Sequence, residues 1–164
     1  MGTQATPSLS EILIRSFQPG DEVAFRELNE AWIAKYFAIE EAERDILNDP
    51  VGNILAIGGH IFMATAESFP VGCCALISMQ PDGFELAKMA VAENLRGKGI
   101  GRKLLEYAIA QARRVGASRL YLETNRKLAN AIHLYESVGF EHVSPDQVIP
   151  STYARANVFM EMKI

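Results

Sequence analysis

A chain of 164 residues is about one domain long, and 49% hydrophobic with 22% charged residues is the composition of an ordinary globular protein with one core. A formal net charge of -4 argues against a general affinity for nucleic acid, and no run approaches the roughly 18 apolar residues of a membrane span. With no repeat and no low-complexity segment, a single domain over residues 1–164 is expected, with neither a nucleic acid nor a membrane as partner.

Residues 1–10 are polar and lack the basic start and apolar core of a secretory signal, so they are expected to be flexible and the protein cytoplasmic. Ile12 and Ile14, with Phe17, predict a first strand that ends at the Pro19-Gly20 turn. Asp21 stands where a helix cap belongs, and Val23, Phe25, Leu28, Trp32 and Ile33 recur at roughly helical intervals after it. The acidic segment 40–49 predicts a second helix, broken by residues 50–52. Residues 60–65 and 71–79 read as strands joined by a turn at 68–70, and Pro81-Asp82-Gly83 turns the chain into a strand over 84–91. These strands form an antiparallel meander. Cys73 and Cys74 lie within it and are expected to be buried free thiols. His60, His133 and His142 lack the spacing of metal ligands, so no metal is expected.

Ile100, Leu104, Leu105, Ala108, Ile109, Ala112 and Val115 make one apolar helical stripe, with Gly116 at the position of a C-terminal cap. A strand over 120–123 follows, and strand–helix–strand connections are right-handed crossovers, so the 84–91 and 120–123 strands should be parallel neighbours. Residues 128–138 read as a helix before Gly139-Phe140, and alternation at Val158, Met160 and Met162 predicts a last strand within 153–164. The sum is an α/β chain with a mixed sheet and helices on both sides.

Between the 84–91 strand and the apolar helix stands Arg96-Gly97-Lys98-Gly99-Ile100-Gly101. Glycines at alternate positions remove the Cβ atoms that would hold an anion off the backbone, and the helix start adds unpaired amides and a positive dipole end. Arg96, Lys98, Arg102 and Lys103 concentrate basic charge on this segment of an acidic chain, which suits a small polyanion such as a phosphate ester. Two common phosphate loops fail on spacing. A dinucleotide fingerprint would need glycine at 102 or 104, where Arg102 and Leu104 stand, and a nucleoside triphosphate loop would need Ser or Thr after Lys98 and glycine at 92, where Gly99 and Ala92 stand.

Following Leu86, Met89 and Val91, the loop resembles the acetyl-CoA loop of the GCN5-related N-acetyltransferase (GNAT) superfamily, whose motif is Gln/Arg-x-x-Gly-x-Gly/Ala; Arg96, Gly99 and Gly101 match its fixed positions. Asn130, Ala131, Leu134, Tyr135 and Gly139-Phe140 match a second pattern of that family, and the resemblance spans residues 84–143. It implies a central mixed, mostly antiparallel sheet of about six to seven strands with helices on both faces. It also implies an N-acetyltransferase that moves acetyl from acetyl-CoA to a primary amine of a small molecule or peptide in a ternary complex. By resemblance, the backbone of Met89, Ala90 and Val91 would meet the pantetheine amides, residues Arg96, Gly97, Lys98, Gly99, Ile100 and Gly101 the phosphates, and Asn130 the coenzyme arm. Homodimers are common in the family.

Acyl transfer from a thioester requires a neutral amine. At an ammonium pKa near 10 only about one molecule in a thousand is free base at pH 7, a penalty on the order of 4 kcal/mol. A general base offsets part of it, typically contributing about 10²–10⁴-fold. Glu85, six residues before Val91, matches the position of a catalytic glutamate in one branch of the superfamily; a solvated strand-edge glutamate is the plain alternative. Tyr135 matches the tyrosine that protonates the departing thiolate, against a simple core tyrosine. Trp32 and Tyr36, with Phe37, are candidates to line the acceptor site, and Arg155 to pair with a substrate carboxylate; core and surface roles are their alternatives. Lys88, charged within a strand, is expected to reach solvent. Two rival functions remain at this point: a non-catalytic acyl-CoA sensing module, and transfer of another acyl group or to a hydroxyl.

Overall fold

The computed structural model describes residues 11–148 and 150–164; residues 1–10, expected to be flexible, lie outside that range. In chain order the elements are β1 (Ile12–Ser16), α1 (Glu22–Tyr36), α2 (Glu41–Asn48), β2 (His60–Ala66), β3 (Phe69–Met79), β4 (Gly83–Val91), α3 (Ile100–Arg114), β5 (Arg119–Thr124), α4 (Ala129–Val138), β6 (Glu141–His142) and β7 (Val158–Lys163). The seven strands form one sheet in the order β1-β2-β3-β4-β5-β7-β6. Among the described residues only β4 and β5 run parallel, as the crossover through α3 requires.

Alternation along the central strands sends neighbouring side chains to opposite faces. Phe62, Ala64 and Cys74 join α3 and Tyr135 of α4 in one core; Ile61, Met63 and Cys73 join Phe25, Ile33 and Leu47 from α1 and α2 in the other. The adjacent cysteines are therefore free and buried on opposite sides of β3. Burial pushes the Cys73 thiol up to about 12 and Cys74 further still, so neither is a nucleophile at neutral pH.

Three local expectations are revised, and one buried polar residue is added to the α1 face. Asp21 precedes α1 without capping it by a side-chain hydrogen bond. Its carboxylate is taken by the Arg15 guanidinium (2.7 Å) and the Gln18 amide (2.8 Å), which lock the β1–α1 turn. Val115 leaves the α3 stripe and is 53% exposed, because the helix ends at Arg114 and Gly116 turns the chain at φ +86°. Polar Asn29 sits on the buried face of α1, satisfied by the Phe25 carbonyl at 2.9 Å. The last strand begins only at Val158, because the segment before it forms turns whose side chains face α2 and β4.

The irregularity that makes room for a site is in β4. Cys73 pairs with Ala90 and Ala75 with Ala87, so Lys88 and Met89 together oppose Cys74, a bulge in which Lys88 adopts φ +54°. β4 pairs with β5 only over Gly83, Phe84 and Glu85, opposite Arg119, Leu120 and Tyr121. Beyond that point the two strands separate, and the bulged half of β4 has no strand partner on that edge.

Candidate active site

The gap between β4 and β5 holds two adjoining cavities. The larger, about 580 Å³, is a groove running from Met89, Ala90 and Val91 on β4 to the glycine loop and the start of α4, where Asn130 and Ala131 line it. That volume falls in the range of small-molecule sites. Gly97 and Gly99 have φ +77° and +87°, and a Cβ built on either meets nothing within 4 Å; at Gly101 it would meet only Leu134, at 3.8 Å. Helical bonding begins with Lys103 N donating to Gly99 O at 3.1 Å, so the amides of Ile100, Gly101 and Arg102 stand free at the mouth of the helix. Arg96 Nε donates to Val91 O at 3.0 Å and its guanidinium lies 4.8 Å from the Trp32 ring centre. Its Nη1 is buried with no hydrogen-bond partner. A buried cationic N–H without an acceptor costs free energy, so this donor calls for an anionic ligand, and the glycine cradle beside it is open to one. The residues present thus fit the pyrophosphate of acetyl-CoA.

The smaller cavity, about 120 Å³, lies between α1, α2, the bulge of β4 and residues 123–125 and 153–156. Glu85 and Glu123 both face it. Glu85 makes no ion pair or hydrogen bond among the described residues, and burial, reinforced by repulsion from Glu123 and opposed by Lys88, pushes its carboxyl up to about 7. Glu123 is held by the Tyr121 hydroxyl at 3.0 Å and the Ser151 hydroxyl at 2.6 Å. On the far wall, Lys88 is 4% exposed along its side chain, correcting the solvent-facing expectation; it reaches Glu43 at 2.8 Å and the Tyr153 hydroxyl at 3.0 Å. Arg155 Nη2 donates to both Glu43 oxygens at 2.6 Å, and Nη1 to Glu40 at 3.3 Å. Arg155 is therefore already paired internally.

Trp32, Met89 and Leu128 line both cavities, so groove and cavity meet at these three residues. Tyr36, packed edge-to-face against Trp32 with ring centres 4.9 Å apart, lines the groove, and Phe37 the smaller cavity. Two expected residues stand apart: Lys98 is exposed and Tyr135 is buried beside Phe140, and neither lines a cavity. Burial, with Cys74 as a lesser cause, pushes the Tyr135 phenol up to about 12, so it keeps its proton. Glu43, Glu123 and Tyr153 are cavity residues that sequence reasoning missed. Glu123 carried a weak signal, a charge ending a buried strand, whereas Glu43 looked like any other residue of an acidic helix.

The described geometry has counterparts. The family model described as acetyltransferase (GNAT) family matches residues 7–140. An uncharacterized N-acetyltransferase of Escherichia coli K12, YjgM, is 46% identical over 72 residues, which are 44% of this chain and 43% of that protein. The chain thus aligns with less than half of that relative's length. A GNAT-family acetyltransferase from Staphylococcus aureus Mu50 superposes with a TM-score of 0.84 at 22% identity, over 93% of this chain and 98% of its own. Another, from Elizabethkingia anophelis with acetyl-CoA bound, does so at 0.70 and 18%, over 94% and 99%. The fold is thus shared along nearly the whole chain, and the family match over residues 7–140 places the chain in the GNAT acetyltransferase family.

Proposed function

We propose that the protein transfers an acetyl group from acetyl-CoA to a primary amine held in the smaller cavity, both substrates being bound at once. One observation carries this reading: a groove with an unsatisfied buried cation at one end and a cavity with an unpaired carboxyl meet at Trp32, Met89 and Leu128. When bound, acetyl-CoA supplies an acyl group on a thiol leaving group. The free amides of the glycine loop and Arg96 Nη1 hold its phosphates. The parted edge of β4 at Met89, Ala90 and Val91 offers backbone groups to an extended amide chain, much as an edge strand accepts a peptide. Asn130, at the groove, contacts the same arm.

Glu85 takes the amine proton at a carboxylate oxygen. With its carboxyl near 7 it is a stronger base than an ordinary glutamate and is still ionised in half the molecules at neutral pH. Tyr135 keeps its proton but lines neither cavity, so its assignment as donor to the departing sulfur rests on the family resemblance. Positioning supplies the rest, since holding two reactants in register is worth several kcal/mol, on the order of 7–11 at best.

The direct test is thiol release from acetyl-CoA with diamines, amino acids, aminoglycosides and short peptides, with acetyl-CoA binding followed in parallel by calorimetry. Turnover with one amine class is the expected result. Tight acetyl-CoA binding without turnover on any amine would overturn the catalytic reading in favour of an acyl-CoA sensing module. Tyr135→Phe is expected to lower kcat several-fold while acetyl-CoA affinity stays within about twofold, as loss of a proton donor acting only in the transition state requires. Equal kcat for the two proteins would remove Tyr135 from the mechanism.

A further inference from the structure

Lys88 and Arg155 are cations of the acceptor cavity, and both are spoken for. Glu43, 2% exposed along its side chain, accepts from Lys88 at 2.8 Å and twice from Arg155 at 2.6 Å, while Glu40 takes the remaining Arg155 amino group at 3.3 Å. Tyr153 lies under both cations, 4.7 Å from Lys88 Nζ and 4.8 Å from the Arg155 guanidinium, with its hydroxyl bonded to Lys88. A substrate carboxylate seeking either cation would have to displace Glu43 and leave a buried charge unpaired. Breaking one partner from a buried ion pair is strongly unfavourable, because the charge left behind is uncompensated. By contrast, Glu85 and Glu123 face the cavity with no ion pair among the described residues. With Glu43 and Glu40 committed to Lys88 and Arg155, Glu123 and the half-ionised Glu85 leave the balance of the cavity negative.

Resting on the acetyl-transfer reading above, we infer that Glu43 is a specificity-determining residue: by occupying Lys88 and Arg155 it excludes acceptors with a carboxylate beside the amine and leaves a cavity for a small primary amine with a second cationic group. The strained bulge has a purpose in this arrangement. A left-handed conformation is costly for a side chain such as lysine, and at Lys88 it turns the chain so that Nζ reaches α2. Specificity then arises by an internal competitor for the wrong ligand as much as by attraction of the right one.

Ornithine and 1,4-diaminobutane differ by one carboxylate and make the test. Calorimetry on the full chain with coenzyme A present, which needs no turnover, is expected to show 1,4-diaminobutane binding at least tenfold more tightly than ornithine, and thiol release is expected to follow the same order in kcat/KM. Glu43→Gln removes the carboxylate that the two cations share while keeping the shape, and should shrink that ratio at least tenfold, mostly by improving ornithine. Equal binding of the two amines by the unaltered protein would overturn the inference, with no variant required. So would an unchanged ratio in a folded Glu43→Gln. Diamine-selective binding without thiol release would uphold the inference on the cavity and overturn only the catalytic reading.

Discussion

Gly99→Val is expected to weaken acetyl-CoA binding about a hundredfold by calorimetry, and Gly116→Val to leave it unchanged. Both glycines flank α3, with φ +87° before it and φ +86° after it, and a Cβ at either position meets nothing within 4 Å. A branched side chain in the left-handed region costs about 1–2 kcal/mol wherever it stands, so both variants should melt below the parent by a similar amount. What separates them is the space the side chain enters. At Gly99 it is the concave side of a turn whose following amides are free; at Gly116 it is the far end of the helix. Hydrogen bonds to a charged group are worth about 1.5–3 kcal/mol each, and losing one or two of them gives the hundredfold loss. Equal affinity in the two variants would sink the assignment of the loop. If Gly99→Val loses affinity only in proportion to its stability, the loop matters for folding and not for phosphate.

The loop and its helix were legible in the sequence because everything they need is local. Glycine at 97 and 99 answers a backbone requirement visible one residue at a time, and the α3 stripe from Ile100 to Ala112 follows a 3.6-residue period with no help from elsewhere. Paired strands were legible for the same reason. The acceptor side was not, since its parts are joined across long stretches of chain. Lys88 and Glu43 are 45 residues apart and Arg155 and Glu43 are 112 apart, and no periodicity links them. Tyr153, Arg155 and Asn157 alternate as a strand would, yet they stand in turns before β7, because ion pairing with Glu40 and Glu43 outweighs a strand's intrinsic preference. Asp21 illustrates the reverse error: the residue type suited a cap, but Arg15 on β1 was a stronger partner than the amides of α1.

Glu85→Gln is expected to lower kcat/KM by about 10²–10⁴-fold at pH 8 and to abolish the acid limb of the pH profile, because a glutamine cannot accept the amine proton. In the parent, activity should rise with pH through an inflection near 7, the value to which burial and Glu123 push the Glu85 carboxyl. Glu123→Gln should shift that inflection toward acid by removing the repulsion while retaining turnover, since the oxygens of Glu123 are already held by Tyr121 and Ser151. Stability provides an independent check with the opposite sense. An unfolded glutamate loses its proton near 4.5, so between about 4.5 and 7 the folded state binds the proton that the unfolded state has released, and stability falls as pH rises through that window. The loss is complete above about 7 and amounts to roughly 3 kcal/mol at most. Glu85→Gln should therefore melt several degrees above the parent at pH 8 and close to it at pH 4, trading the charge that destabilises the fold for a neutral amide that cannot act as a base. A variant that loses activity but gains no stability at pH 8 would mean that Glu85 is ionised at ordinary acidity and is not held in reserve for the amine; one that keeps its acid limb would show that another group takes the proton.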